Sequence, residues 1–159
     1  MRFVFLFLGY FFFSMLYAQP VKKYGQLQVK GTQLCDAKGK PVVLRGMSFG
    51  WHNFWPRFYN ASAVDWLYKD WNCGVVRAAM GIEPQGGYKQ DSAGAIQKIE
   101  AVINGAIKTG IYVIIDWHSH NINLQEAKTF FTQMAKNTAT IPILFMSYSM
   151  NRIMKAGKK

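Results

Sequence analysis

The sequence predicts an α/β fold in which strands and helices alternate around a parallel sheet, on three observations. Three short apolar runs, Val42–Met47, Val75–Met80 and Ile111–Asp116, are too short for helices and apolar on both faces, as parallel strands covered by helices are. Segments of helical period follow the runs. Polar and aromatic residues gather just after each strand end, at Trp51–Trp55, Arg77–Glu83 and Asp116–His120. In a (β/α)8 TIM barrel that rim is where sites are built, and such a barrel takes about 250 residues. From the residues alone the unit is βα, repeated three to four times behind a small N-terminal β ribbon.

The elements follow in order. Met1 and Arg2 precede an apolar run from Phe3 to Ala18, which reads as a signal peptide over residues 1–18 and implies secretion. Its removal leaves 141 residues with no further membrane span expected. Gln26–Val29 and Gln33–Cys35 flank a Lys30-Gly31-Thr32 turn, forming the ribbon. After the strand Val42–Met47, residues 48–61 form an aromatic loop, and Ser62 caps a helix whose apolar face is Val64, Leu67, Tyr68 and Trp71. Asn72-Cys73-Gly74 stops it.

After the second strand, Asp91 caps a helix with Ile96, Ile99, Val102, Ile103, Ala106 and Ile107 on one side, and Gly110 closes it. Asn123 and Glu126 form a capping box for a third helix through Met134. Ile141–Met146 begins a fourth strand. Neither a glycine-rich dinucleotide fingerprint nor a phosphate loop follows the first strand, which disfavours nucleotide binding.

The formal charge of +11 raises the question of nucleic acid. Residues 19–131 hold thirteen basic and eight acidic groups, whereas the last 28 residues hold five basic groups and no acid, so the excess is partly a tail effect. With no basic helical stripe, no nucleic-acid partner is expected. Cys35 and Cys73 either form one bridge or remain free thiols, and Asn60-Ala61-Ser62 is a glycosylation sequon.

Three constellations carry the chemistry. The period of two in a strand points Asp116, His118 and His120 the same way. They read as a metal set, as a buried aspartate orienting its neighbours, or as histidines that hydrogen-bond substrate; with no further ligands at recognisable spacing, no metal is expected. Arg77 at a strand end needs a carboxylate, either a catalytic one that it holds ionised or Asp116 in a structural pair. Trp51, Phe54 and Trp55 offer flat faces for sugar rings while His52 and Asn53 offer bonds to hydroxyls, or the cluster is core.

Together these pieces resemble glycoside hydrolase family 5, most closely its secreted endo-β-1,4-glucanases, including those of plant-parasitic nematodes. The likeness rests on Gly25-Gln26-Leu27 with Leu34, Leu44-Arg45-Gly46-Met47-Ser48, Trp71 through Met80, and Gly110 through His118, and it covers about residues 24–136. It implies a (β/α)8 TIM barrel, here incomplete at about its first three to four βα units, of a kind that cleaves β-1,4-glucan with retention, needs no cofactor and is a monomer when complete. One glutamate after the fourth strand would be acid/base and another after the seventh the nucleophile, a pair about 5–5.5 Å apart. Arg77 matches the arginine that supports the nucleophile and His118 the histidine lining the site. Trp51, Phe54 and Trp55 lie in the loop that contributes aromatic sugar contacts, and His52 and His120 join them as substrate-binding candidates on their own chemistry.

The sequence departs from the pattern at Gly50, where many relatives place histidine, and at Phe54, where many place tryptophan. No glutamate follows Glu126, and Glu83-Pro84, which looks like the expected Asn-Glu-Pro, follows the second strand and reads as a loop residue. Residues 19–136 are thus expected to be the N-terminal half of the barrel and 137–159 a basic tail, through truncation or a frameshift near Lys136–Asn137. Such a chain would be inactive alone. The alternative is a non-catalytic β-glucan-binding protein.

Overall fold

The computed structural model describes residues 19–138, and the backbone alone of residues 144–150. The expected signal peptide and most of the basic tail lie outside the described residues. A short helix α1 (Pro20–Tyr24) leads into the ribbon, β1 (Gln28–Lys30) antiparallel to β2 (Gln33–Cys35), turning at Gly31 with φ 60°. That conformation favours glycine. The parallel sheet runs β3 (Gly46–Trp51), β4 (Val75–Gly81), β5 (Tyr112–Ser119) and β6 (Leu144–Met150), in that order, with α2 (Ala61–Trp71), α3 (Ser92–Thr109) and α4 (Leu124–Thr138) following β3, β4 and β5. The sheet is open at β3 and β6 among the described residues, consistent with an incomplete (β/α)8 barrel.

The first sheet strand lies four residues later than the apolar run suggested. Val42 instead donates its N–H to the Leu34 carbonyl at 2.9 Å, extending the ribbon, and the sheet begins at Gly46. A Cβ at Gly46 would lie 1.6 Å from the Val75 carbonyl oxygen, so only glycine permits this approach to β4. Residues 48–51, expected in the aromatic loop, are therefore strand.

Alternation then divides the sheet. On one face Val76, Ala78 and Met80 of β4 and Val113, Ile115 and Trp117 of β5 form a buried core with Val64, Leu67, Ile99, Val102, Ile103, Phe130 and Met134 of the helices. Full burial of each such aliphatic side chain contributes about 1.5–3 kcal/mol. The opposite face carries Ser48, Arg77, Ala79, Gly81, Ile114, Asp116 and His118, so the strands are less uniformly apolar than their sequences suggested.

Several helix details differ from expectation. Asn60, not Ser62, caps α2, accepting from the Ala63 N–H at 2.8 Å, and the helix ends at Asn72 with φ 52°. Trp71, expected on the buried face, is the last residue of α2, is 56% exposed and packs edge-on against Trp66. Ile107 is likewise partly exposed. Asp91 caps α3 and Gly110 ends it, as the sequence indicated. The capping box of α4 is replaced: the Asn123 side-chain amide donates to Glu83, and Glu126 lies 3.9 Å from the Lys89 ammonium. Both cysteines are buried free thiols.

Candidate active site

The charged floor of the site is set by register. Ala79 pairs with Asp116 and Gly81 with His118, leaving space beside the two polar side chains, while Arg77 lies two residues earlier on the same face. Its guanidinium Nη2 donates to Asp116 Oδ2, and Nη1 donates to Ser48 Oγ at 3.0 Å. His118 Nδ1 lies 2.9 Å from the same carboxylate oxygen. The same Nδ1 is also 2.9 Å from Arg77 Nη2, so it donates to Asp116 when it carries the proton and accepts from Arg77 when it does not. Asp116 is 0% exposed, and its charge is matched by the guanidinium, which is 29% exposed. Asp116 Oδ1 and His118 Nε2 are buried without a partner.

Above this floor stands Trp51. Its ring centroid is 4.5 Å from that of His118, 5.3 Å from His120 and 5.5 Å from Phe54, the last stacked on it with the planes 12° apart. Gly81 makes room for the platform, since a Cβ there would meet Asn53 Oδ1 at 2.3 Å and Trp51 at 3.1 Å. Phe54 remains 58% exposed. Trp55 does not join this group. It is 49% exposed and lines a separate groove of about 430 Å³ with Met47, Phe49, Phe58, Trp66 and Leu67, between β3 and α2.

The sequence placed Trp51 and Trp55 in one loop; a bulge between Ser48 and Trp51 separates their surroundings. His52 also departs from expectation. It is 1% exposed, its Nδ1 accepts from the Gly81 N–H at 3.2 Å, and its role is to fasten the loop rather than to meet hydroxyls. Burial first, and the Lys98 charge second, depress its pKa to about 4, so it stays neutral. Asn53 donates to the Gln85 carbonyl at 3.0 Å. Tyr59 anchors the same loop, accepting from the Ala79 N–H at 2.9 Å with its hydroxyl near the Gly50 carbonyl, and burial raises its pKa.

Glu83 is the residue that sequence reasoning passed over. Burial opposes its charge, but the His120 N–H, the Ser119 hydroxyl and the Asn123 and Asn121 side chains outweigh it, lowering its pKa to about 2. His120 Nδ1 is 3.5 Å from Glu83 Oε2, while Asp116 and His118 bond to each other, so the three residues of the metal reading do not converge. Among the described residues no group of three His, Cys, Asp or Glu side chains could hold a metal ion.

A parallel βα sheet bearing an arginine–aspartate–histidine floor and an aromatic platform at its strand ends is consistent with part of a (β/α)8 barrel, whose rim carries such residues. The chain belongs to the cellulases of glycosyl hydrolase family 5, whose family model matches residues 35–144. It is 39% identical over 126 residues to endoglucanase E-5 of Thermobifida fusca, covering 76% of this chain and 27% of that protein. To endoglucanase Z of Dickeya dadantii it is 41% identical over 121 residues, covering 73% and 28%.

Among solved structures, one from Cytophaga hutchinsonii superposes with a TM-score of 0.79 at 44% identity, covering 82% of this chain and 43% of that one. The catalytic domain of a Thermobifida fusca endoglucanase gives 0.75 at 37%, covering 80% and 43%, and a further structure of that domain holds cellotetraose. The chain thus spans about a quarter of the length of these curated relatives and under half of the solved chains.

Proposed function

We propose that this chain supplies the sugar-binding and charge-supporting side of a secreted endo-β-1,4-glucanase site. The observation that carries the reading is the Trp51 ring set against His118 and His120, directly over the Arg77–Asp116–His118 network. An aromatic face takes the apolar side of a pyranose ring, and the adjoining imidazoles take its hydroxyls. Of the two imidazoles, that of His120 is 26% exposed and meets such a hydroxyl, whereas His118 Nε2 is buried. Arg77 supports a nucleophile by holding a carboxylate ionised, the role the family likeness assigns to it.

Retaining hydrolysis needs two carboxyl groups, one nucleophilic and one acid/base. Asp116 is engaged by Arg77 and His118, and Glu83 is engaged by five donors. These two engaged carboxylates favour a second reading, in which the described residues retain glucan without hydrolysing it. Incubation of the purified protein with carboxymethylcellulose, together with a cellulose pull-down, tests both parts. Retention on cellulose with no release of reducing ends is expected. Release of reducing ends would refute the inactivity, and failure to be retained would refute the binding face.

A further inference from the structure

Glu83 stands just past the end of β4, and the chain from Ser119 to Asn123 folds over its carboxylate. Oε1 accepts from the Ser119 hydroxyl at 2.7 Å, the Asn121 N–H at 3.1 Å and the Asn121 and Asn123 side-chain amides at 3.3 and 2.5 Å. Oε2 accepts from the His120 N–H at 3.0 Å, with the His120 imidazole Nδ1 at 3.5 Å. The donors come from 36 to 40 residues further along the chain, so the carboxylate ties the β4–α3 loop to the β5–α4 loop. Asn123, at φ 41°, is held in the left-handed region at the start of α4. Such a conformation persists where its surroundings enforce it, and here the side-chain bond to Glu83 is one such restraint.

We infer that Glu83 is a positioning residue: by gripping Ser119–Asn123 it holds His120 against Trp51 and so shapes the sugar-binding face. The inference rests on the glucan-binding reading for its purpose, though the grip itself is independent of it. The lowered pKa of Glu83 agrees with a carboxylate kept charged by these donors. A loop held by a charged acceptor keeps its shape between free and bound states, and that preorganisation lowers the cost of binding.

The test is Glu83→Gln, which keeps the size and one acceptor oxygen but removes the charge and turns an amide toward the donors on the other side, the His120 N–H when the oxygen keeps the Oε1 place. Amide proton shifts and hydrogen exchange of His120 and Asn121 are read by NMR in the unliganded protein, and cellotetraose is titrated separately. Loss of charge-assisted bonds is expected to speed exchange at both amides by about tenfold or more and to move both protons upfield. Cellotetraose affinity is expected to fall by about tenfold.

Asn123→Gly, which permits the left-handed backbone and removes the amide that donates to Glu83, Ser119 Oγ and the Asn121 carbonyl, gives a smaller change in the same direction and serves should Glu83→Gln fail to fold. Unchanged exchange and shifts at His120 and Asn121 would overturn the grip. Loosened amides with unchanged cellotetraose affinity would overturn its positioning role. An unsubstituted protein that ignores cellotetraose would sink the glucan reading instead, and with it that role, while the amide measurements still decide the grip.

Discussion

Asp116→Asn is the perturbation that weighs the charged floor most directly. Asp116 is fully buried, and its Oδ2 serves both the Arg77 guanidinium and His118 Nδ1. The amide keeps the shape but removes the charge, leaving Arg77 without a counter-ion. Breaking one partner of a buried pair costs about 3–5 kcal/mol. Arg77 is 29% exposed, so water compensates part of the loss and the lower end, about 3 kcal/mol, applies.

Urea unfolding followed by tryptophan fluorescence reports this, since Trp117 is fully buried in the core. With a slope of about 1.5 kcal/mol per molar, the midpoint should fall by about 2 M. Arg77→Met combined with Asp116→Leu removes both charges and should cost less than Asp116→Asn alone. A loss under about 1 kcal/mol for Asp116→Asn, the range of solvent-exposed pairs, would refute the reasoning.

Three further outcomes follow from the same geometry. His52 has a folded pKa of about 4 against 6.5 unfolded, so the unfolded state binds more protons between these values. Its contribution to stability is present above pH 6.5 and is lost as pH falls toward 4; His52→Gln should flatten that part of the stability profile, measured by urea midpoints across the range. Gly46→Ala should cost about 3 kcal/mol or more in the same assay, because the added methyl meets the Val75 carbonyl; a neutral substitution would mean β3 does not pair there. Thiol titration in denaturant without reductant should find two reactive cysteines per chain, and none would indicate a Cys35–Cys73 bridge.

What the sequence disclosed of the fold was what local periodicity encodes. Val75–Met80 and Ile111–Asp116 are long enough apolar runs to show as strands, and Asp91 and Gly110 bracket α3 by side-chain and backbone chemistry that needs no tertiary partner. The first sheet strand was displaced because Val42 is equally apolar but bonds back to the ribbon, and only the close approach at Gly46 marks the true start. Trp71 and Ile107 satisfy helical period yet lie at the margin of a face whose width is set by the neighbouring helix.

The site was legible in part for the same reason. Asp116 and His118 share a face by alternation, and Arg77 needed an acid, so their meeting followed from elementary rules. The separation of Trp51 from Trp55 did not, because a bulge resets alternation in β3. Glu83 was read as an ordinary loop residue since its donors lie 36 or more residues away, beyond the reach of any local pattern.

The central claim is that the sugar face is built on Trp51 and not on the groove lined by Trp55. Titration of cellotetraose against the unsubstituted protein, Trp51→Ala and Trp55→Ala, by calorimetry, tests it most directly. Truncating an aromatic anchor at a binding face costs about 2 kcal/mol or more, so Trp51→Ala should weaken binding by about tenfold or more while Trp55→Ala leaves it within about twofold. Equal affinity for Trp51→Ala and the unsubstituted protein, or a loss confined to Trp55→Ala, would contradict the account.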